Sequence, residues 1–211
     1  MDFNTSKTLG GVGALLLFVG VLPFLSTFFI LPLIGIILLL IGMKGCADYY
    51  REGGIFNNAL YSVITLIVGG VVFVAVAFIA LMDFFTAIGM PMGGATVADW
   101  SNWSTRIAQV DWTNVGMSVI GGFIGYIFLA LVILFVFVVV SAVLMRKSLG
   151  LLKEKSGVGL FSSTGIVLLV GAVLTIIVFG IILIWISMLL LAIAFFQMKP
   201  QPPQTATPTQ V

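Results

Sequence analysis

Histidine is absent from this chain and cysteine occurs once, at Cys46. Without imidazole there is no His-based acid–base catalysis, no haem held through His and none of the commonest zinc sites. A single thiol excludes an intramolecular disulfide and a thiolate metal cage. Charge is equally scarce: Asp, Glu, Lys and Arg make up 8% of the residues, where soluble domains carry about 25%. Hydrophobic residues make up 61% of the chain and the mean hydropathy is +1.29. These values place the chain in the membrane, as one all-α polytopic transmembrane bundle over residues 1–198. The net charge of +2 is too small, and the cations too dispersed, for nucleic acid as a partner.

Ionisable residues are missing from the centre of every apolar run, which disfavours proton- or ion-coupled transport. Asp83, in "LMDFF", comes nearest and reads as an interfacial carboxylate facing water. The hydroxyls within the runs are Ser62, Thr65, Ser118, Ser141, Thr175 and Ser187. Such groups bond back to their own helix or join neighbouring helices. Asp83, Asp99 and Asp111 are separated by flexible spacers that do not pair them. No catalytic set, metal site or cofactor site can be assembled, and the chain is not expected to be an enzyme.

What is present is apolar sequence in blocks long enough to cross a bilayer, about 17 to 25 residues each. Residues 9–43 are too many for one span, and Pro23, Ser26, Thr27 and Pro32 interrupt their middle. A hairpin of two short helices, 8–24 and 28–43, is expected. A third helix is expected over 57–82 and a long, tilted or projecting fourth over 114–145. Residues 164–197 form a second double block, with a turn near residues 179–180 between helices five and six. Gly171, Thr175 and Gly180 are its candidate break points. The beginning of the chain lacks a small-x-small cleavage site, so it reads as a retained first helix rather than a secretory signal.

With the N-terminus inside, six passes place Lys7, Lys44, Arg51, Arg146, Lys147, Lys153, Lys155 and Lys199 on the cytoplasmic side and leave only Arg106 outside. This satisfies the positive-inside rule for a plasma-membrane protein with both termini cytoplasmic. Re-entrant hairpins that dip into the bilayer and return satisfy the same test. The outer segment, 83–113, carries Trp100, Trp103 and Trp112, with Ile107 and Val110 at amphipathic spacing, and a weak N-x-S sequon at Asn102. The Pro-rich tail 199–211 is expected to be a disordered cytoplasmic end.

Two polar islands interrupt the apolar chain on the inner side, "DYYREGGIFNNALY" and "SLGLLKEKSGVGLFSS". Met43-Lys44 leads to Arg51-Glu52 at the spacing by which Met145-Arg146 leads to Lys153-Glu154. On a continued helix Lys44 and Arg51 share a face. Tyr49, Tyr50, Leu151 and Leu152 then suit the headgroup level, while Asn57-Asn58 and Ser162-Ser163 suit helix-start caps. Lys44, Arg51, Arg146, Lys147, Lys153 and Lys155 are the expected contacts to anionic headgroups or a partner protein. Ordinary basic inner loops with common caps account for the same residues. Gly121, Gly122 and Gly125 give the fourth helix a small-residue packing face, as Gly10, Gly11, Gly13 and Gly20 do the first. Such faces pack within one chain or between copies.

At "NTSKTLGGVGALLLFVG", "ADYYREGGIFNNALY", "LLKEKSGVGLF" and "GAVLTIIVFGIILIWI" the chain resembles a mainly archaeal family of uncharacterised multi-pass membrane proteins, domain of unknown function 996. The resemblance implies an archaeal plasma membrane and brings no activity, cofactor or catalytic residue. Two expectations follow. The first is a structural or accessory membrane subunit that packs with lipids, a membrane-protein partner or a second copy. The second is a channel or transporter for a neutral or lipidic solute, marked by a polar path between the third and fourth helices.

Overall fold

The computed structural model describes residues 2–20, 30–90, 102–110, 112, 115–177 and 179–200. Among the described residues the chain is helical and contains no strand. The helices in order are α1 Phe3–Gly20, α2 Ile30–Tyr50, α3 Gly53–Ala87, a short α4 Trp103–Ala108, α5 Met117–Ser156, α6 Leu160–Leu174 and α7 Phe179–Gln197. A 3-10 turn, Thr175–Ile177, follows α6. Five segments are long and apolar enough to cross a membrane: α2, α3, α5, α6 with its 3-10 extension, and α7. The chain is a multi-pass membrane protein of all-α class. The weaker candidate α1 begins with the polar run Asn4 to Thr8 and is not among the five.

Every helix that meets an island reaches further into it than hydropathy predicts. The second helix continues to Tyr50 rather than stopping at Met43, and the fourth long segment continues to Ser156 rather than Met145. Their successors start early, at Gly53 and Leu160. Charge ends an apolar window, but it does not interrupt backbone hydrogen bonding, and Lys, Leu and Glu are good helix formers. At about 1.5 Å per residue, α3 and α5 extend roughly 52 and 60 Å, well beyond a hydrocarbon core of about 30 Å. The break between the last two helices falls at Thr175–Ile177, just before the expected turn. Pro32 lies in the first turn of α2, where no amide is required. Pro23, Ser26, Thr27, Asp99, Trp100, Asp111 and the tail from residue 201 lie outside the described residues.

The chain divides into two compact units, Met1–Thr65 with Val138–Val211, and Leu66–Phe137. In the first unit, α1 and α2 run antiparallel with their backbones touching. A Cβ on Gly13 would strike the Leu39 amide nitrogen and stand 2.7 Å from the Gly35 carbonyl, and one on Gly42 would strike the Gly10 backbone. Ser6 occupies the space left by Gly45. An adjoining side of α1 receives α7, where Phe195 and Phe196 fill the space over Gly10 and Gly11. Both ends of this second contact are tied to helix C-terminal carbonyls, which lack partners within their own helix. Lys7 Nζ donates to the Met198 carbonyl at 2.7 Å, and Trp185 Nε1 donates to the Phe18 carbonyl at 2.8 Å. The Trp185 and Phe18 rings stack at 4.5 Å. A second glycine contact, Gly171 against Gly180, closes α6 onto α7.

The apolar core gathers at the island end of these helices, not midway along them. Phe3, Met43, Cys46, Ile55, Leu149, Leu152, Phe161, Phe195 and Met198 are all buried there. In hydrocarbon, an apolar side chain gains little by leaving lipid for protein, whereas beside polar sequence and water the same burial is favourable. The buried serine hydroxyls are paired. Ser62 Oγ and Ser141 Oγ lie 2.9 Å apart across α3 and α5, and Ser148 Oγ donates to the Ile55 carbonyl at 2.5 Å. Thr175 and Ser187 bond back to their own helices. Replacing Ser62 with Ala is expected to cost about 0.6 kcal/mol, the usual magnitude for such a bond in a membrane bundle. Adding Ser141→Ala should cost almost nothing further, as read from unfolding of the single and double variants in detergent.

In the second unit, α3 and α5 pair antiparallel. Gly69 admits the Phe137 ring at one end, and Phe84 packs on Phe123 at the other with ring centroids 4.9 Å apart. Val71, Val74, Ile124 and Phe128 point outward and are exposed, as suits helices that face lipid.

Candidate lipid and partner surface

The two islands come together in the first unit. Glu52 Oε2 lies 3.6 Å from Lys155 Nζ, the Leu151 side chain covers Gly54, and Ser148 holds the Ile55 carbonyl. The ion pair is half-exposed, so it fixes register more than it stabilises, with a worth of about 0–1 kcal/mol. Beneath it the apolar positions of both islands form the buried core described above. The islands are therefore the lid of the best-packed part of the molecule, which the loop reading does not anticipate.

The polar groups of the first island are placed by how α2 ends. The Glu52 amide donates to the Ala47 carbonyl at 2.9 Å and the Arg51 amide to the Asp48 carbonyl at 3.3 Å. This is a Schellman termination, which needs a left-handed residue at Arg51. Arg51 adopts φ +52°, and it is the one described non-glycine residue with positive φ. For a residue with a Cβ this conformation costs roughly 1–2 kcal/mol. The second island makes its equivalent turn at Gly157, φ +73°, whose amide donates to the Lys153 carbonyl at 2.9 Å. Lys153-Glu154 thus belongs to the last turns of α5, while Arg51-Glu52 forms the turn itself. Equal spacing in sequence does not place these pairs equivalently.

Several expectations need correction here. Arg51 does not continue the Lys44 face, because the helix ends at Tyr50. Tyr50 and Leu152 do not project toward headgroups. Leu152 is fully buried, and the Tyr50 hydroxyl is buried with no partner among the described residues. Phe3 of α1 packs on Tyr49 at 4.6 Å and on Tyr50 edge-on at 6.4 Å, which draws both rings toward the bundle. Asn58 is no cap either: with α3 starting at Gly53, its Nδ2 donates back to the Gly54 carbonyl at 2.8 Å. Ser162 and Ser163 lie inside α6, whose N-cap is Gly159 without a side-chain bond. Ser156 accepts the Val158 amide instead.

Of the six predicted cations, Lys44 is paired with Asp48 one turn on at 3.0 Å and stands 5.4 Å from the centroid of the Phe56 ring. Lys155 is held by Glu52. Arg51, Arg146, Lys147 and Lys153 are exposed and have no ion pair among the described residues. Six cations face three carboxylates, Asp48, Glu52 and Glu154, on the two islands, so the surface is positive at neutral pH.

The predicted glycine faces separate cleanly. Gly10, Gly11, Gly13 and Gly20 all contact another helix. A Cβ at Gly121, Gly122 or Gly125 would meet nothing within 4 Å among the described residues. Of the glycines that receive a partner on α2, α6 and α7, Gly171 and Gly180 were expected as break points and not as a packing pair, while Gly35, Gly42 and Gly45 had no sequence signal beyond their seven- and three-residue intervals. Trp185 and Lys7 as carbonyl donors were likewise missed, since nothing local shows which helix end they reach.

Residues 31–189 match the family described as "Protein of unknown function (DUF996)". Over 198 residues the chain is 23% identical to the uncharacterized protein MJ1644 of Methanocaldococcus jannaschii, covering 94% of each chain. No solved structure matches.

Proposed function

The chain belongs to the DUF996 family of proteins of unknown function, and we propose that it is a non-catalytic structural or accessory subunit of the plasma membrane that binds anionic lipid headgroups through its island surface. The observation that carries this reading is the set of four exposed cations without an ion pair among the described residues, Arg51, Arg146, Lys147 and Lys153, mounted on a buried base. Juxtamembrane cations near an anionic bilayer contribute about 1 kcal/mol each. An arginine stands in a left-handed turn of the kind that Gly157 makes in the other island, and this strained placement supports a role for the Arg51 side chain beyond the turn. The same charges favour an orientation with the islands and both termini on the cytoplasmic side. Gly121 and Gly125 are open to a membrane-protein partner or a second copy.

The test is lipid retention by the full-length protein in mild detergent, read by native mass spectrometry. Arg51→Glu with Lys153→Glu should release anionic lipid preferentially over zwitterionic lipid; unchanged retention sinks the proposal. Arg51→Gly separates fold from function. It removes the left-handed strain and should raise stability by about 1 kcal/mol, while weakening anionic-lipid retention in the same direction as the charge reversal. A second reading, a channel or transporter for a neutral or lipidic solute, is favoured by one feature, a mainly apolar groove between α3 and α5 whose polar side chains are Asp83, Ser118 and Tyr126.

A further inference from the structure

That groove lies in the second unit, between α3 and α5. Asp83 and Phe84 line it from α3, and Ser118, Gly122, Phe123 and Tyr126 line it from α5. On α5, positions 118, 122 and 126 recur every four residues and so share one helix face. Phe123 adjoins that face, and its ring meets Phe84 at 4.9 Å with the planes tilted by 44°. The cavity measures about 170 Å³. Gly122 keeps part of it open, since a Cβ there would touch nothing within 4 Å.

The chemistry of the lining selects its occupant. The Asp83 carboxylate has no ion pair or hydrogen bond among the described residues. Asp83 is exposed at the groove, which Phe84, Phe123 and Tyr126 also line; the faces of aromatic rings carry negative quadrupole charge. The two hydroxyls are able to accept. A cation is therefore the complementary guest. A hard metal ion is a poor one: calcium takes six to eight oxygen ligands, and the groove offers one carboxylate and two hydroxyls. An organic ammonium group fits on both counts, because its charge suits the carboxylate and ring faces while its carbon substituents bury against the phenylalanines. Size agrees, since a cavity of about 150 Å³ accommodates benzene and tetramethylammonium is of comparable bulk. A solvated interfacial carboxylate beside an empty surface crease is the alternative.

We propose that this groove binds an organic ammonium group, supplied either by a small soluble amine or by an ammonium lipid headgroup. The first experiment is calorimetric titration of the full-length protein in maltoside detergent with tetramethylammonium chloride, using potassium chloride as the control for ionic strength. A parallel arm compares retention of phosphatidylcholine and phosphatidylglycerol by native mass spectrometry. Wild type should bind tetramethylammonium saturably, or retain phosphatidylcholine, in a way potassium does not reverse. Asp83→Asn should weaken that binding at least tenfold. Gly122→Leu, which fills the cavity from a position with free space around it, should abolish it. Displacement of tetramethylammonium by phosphocholine lipid assigns the site to a headgroup, and binding without displacement assigns it to a soluble amine. The proposal fails if wild type shows neither signal, or if Asp83→Asn and Gly122→Leu both bind as wild type does. Tetramethylammonium is itself a cation that the basic island surface does not attract, so the titration arm is independent of the island proposal.

Discussion

Gly13→Ala should unfold the α1/α2 hairpin under conditions in which Gly121→Ala has no adverse effect. At Gly13 the added methyl carbon meets the Leu39 amide nitrogen, the Gly35 carbonyl at 2.7 Å and the Leu39 Cα at 2.9 Å. All three belong to the backbone of α2, so no rotamer change relieves the clash. The helices must separate, which also opens the Gly10–Gly42 contact beside it. Overpacking a tight core costs roughly 1–3 kcal/mol, and more when backbone has to move. The helix-propensity gain of Ala over Gly is at most about 1 kcal/mol, so the clash wins. A loss near the upper end, about 3 kcal/mol, is expected. At Gly121 there is no clash to offset that gain, and the variant should be as stable as wild type or slightly more so. Denaturant-induced loss of helicity in detergent micelles measures both. Equal midpoints for the two variants would show that α1 and α2 do not touch through their glycines.

Phe195→Ala should be destabilising alone and yet partly rescue Gly10→Ala. Phe195 is fully buried, edge-on to Phe161 at 5.3 Å, and its ring covers the Gly10 Cα. A methyl group on Gly10 would come within 2.5 Å of Phe195 Cε1. Burial and the edge-on contact with Phe161 restrict how far the ring can shift. Removing a buried phenylalanine costs about 3–5 kcal/mol in a soluble core. At the island end, where burial has a hydrophobic component, the lower figure of about 3 kcal/mol is expected. In the Phe195→Ala background the Gly10 methyl enters the space the ring vacates. The double variant should therefore be more stable than the sum of the singles predicts, by about 1–2 kcal/mol. Strict additivity in the same unfolding assay would rule out the α1/α7 contact.

The hydroxyl predictions show how far local reasoning reaches. Ser62 and Ser141 were expected to join helices or bond back, the two ways a hydroxyl is satisfied in an apolar setting. Their pairing across α3 and α5 is one of those two ways. Helix ends were less legible. Asn58 and the Ser162-Ser163 pair have the chemistry of caps, but a cap is defined by the turn before it. That turn lay four residues earlier, because the islands stayed helical. The lipid surface is intermediate: its cations were identifiable from charge alone, while the division into paired Lys44 and Lys155 and unpaired Arg51, Arg146, Lys147 and Lys153 required knowing where Asp48 and Glu52 point.

By itself the sequence determined that this is a multi-pass, all-α membrane protein, because scarcity of charge and the length of apolar runs are properties each segment carries alone. Only the tertiary structure decided which glycines matter, since Gly13 and Gly121 differ in what stands opposite a missing Cβ and not in their own neighbourhoods. It likewise decided that the core lies under the islands. In lipid an apolar side chain is as well solvated as in protein, so hydropathy cannot tell a buried Phe195 from an exposed Phe128. Packing between partners distant in sequence makes that distinction.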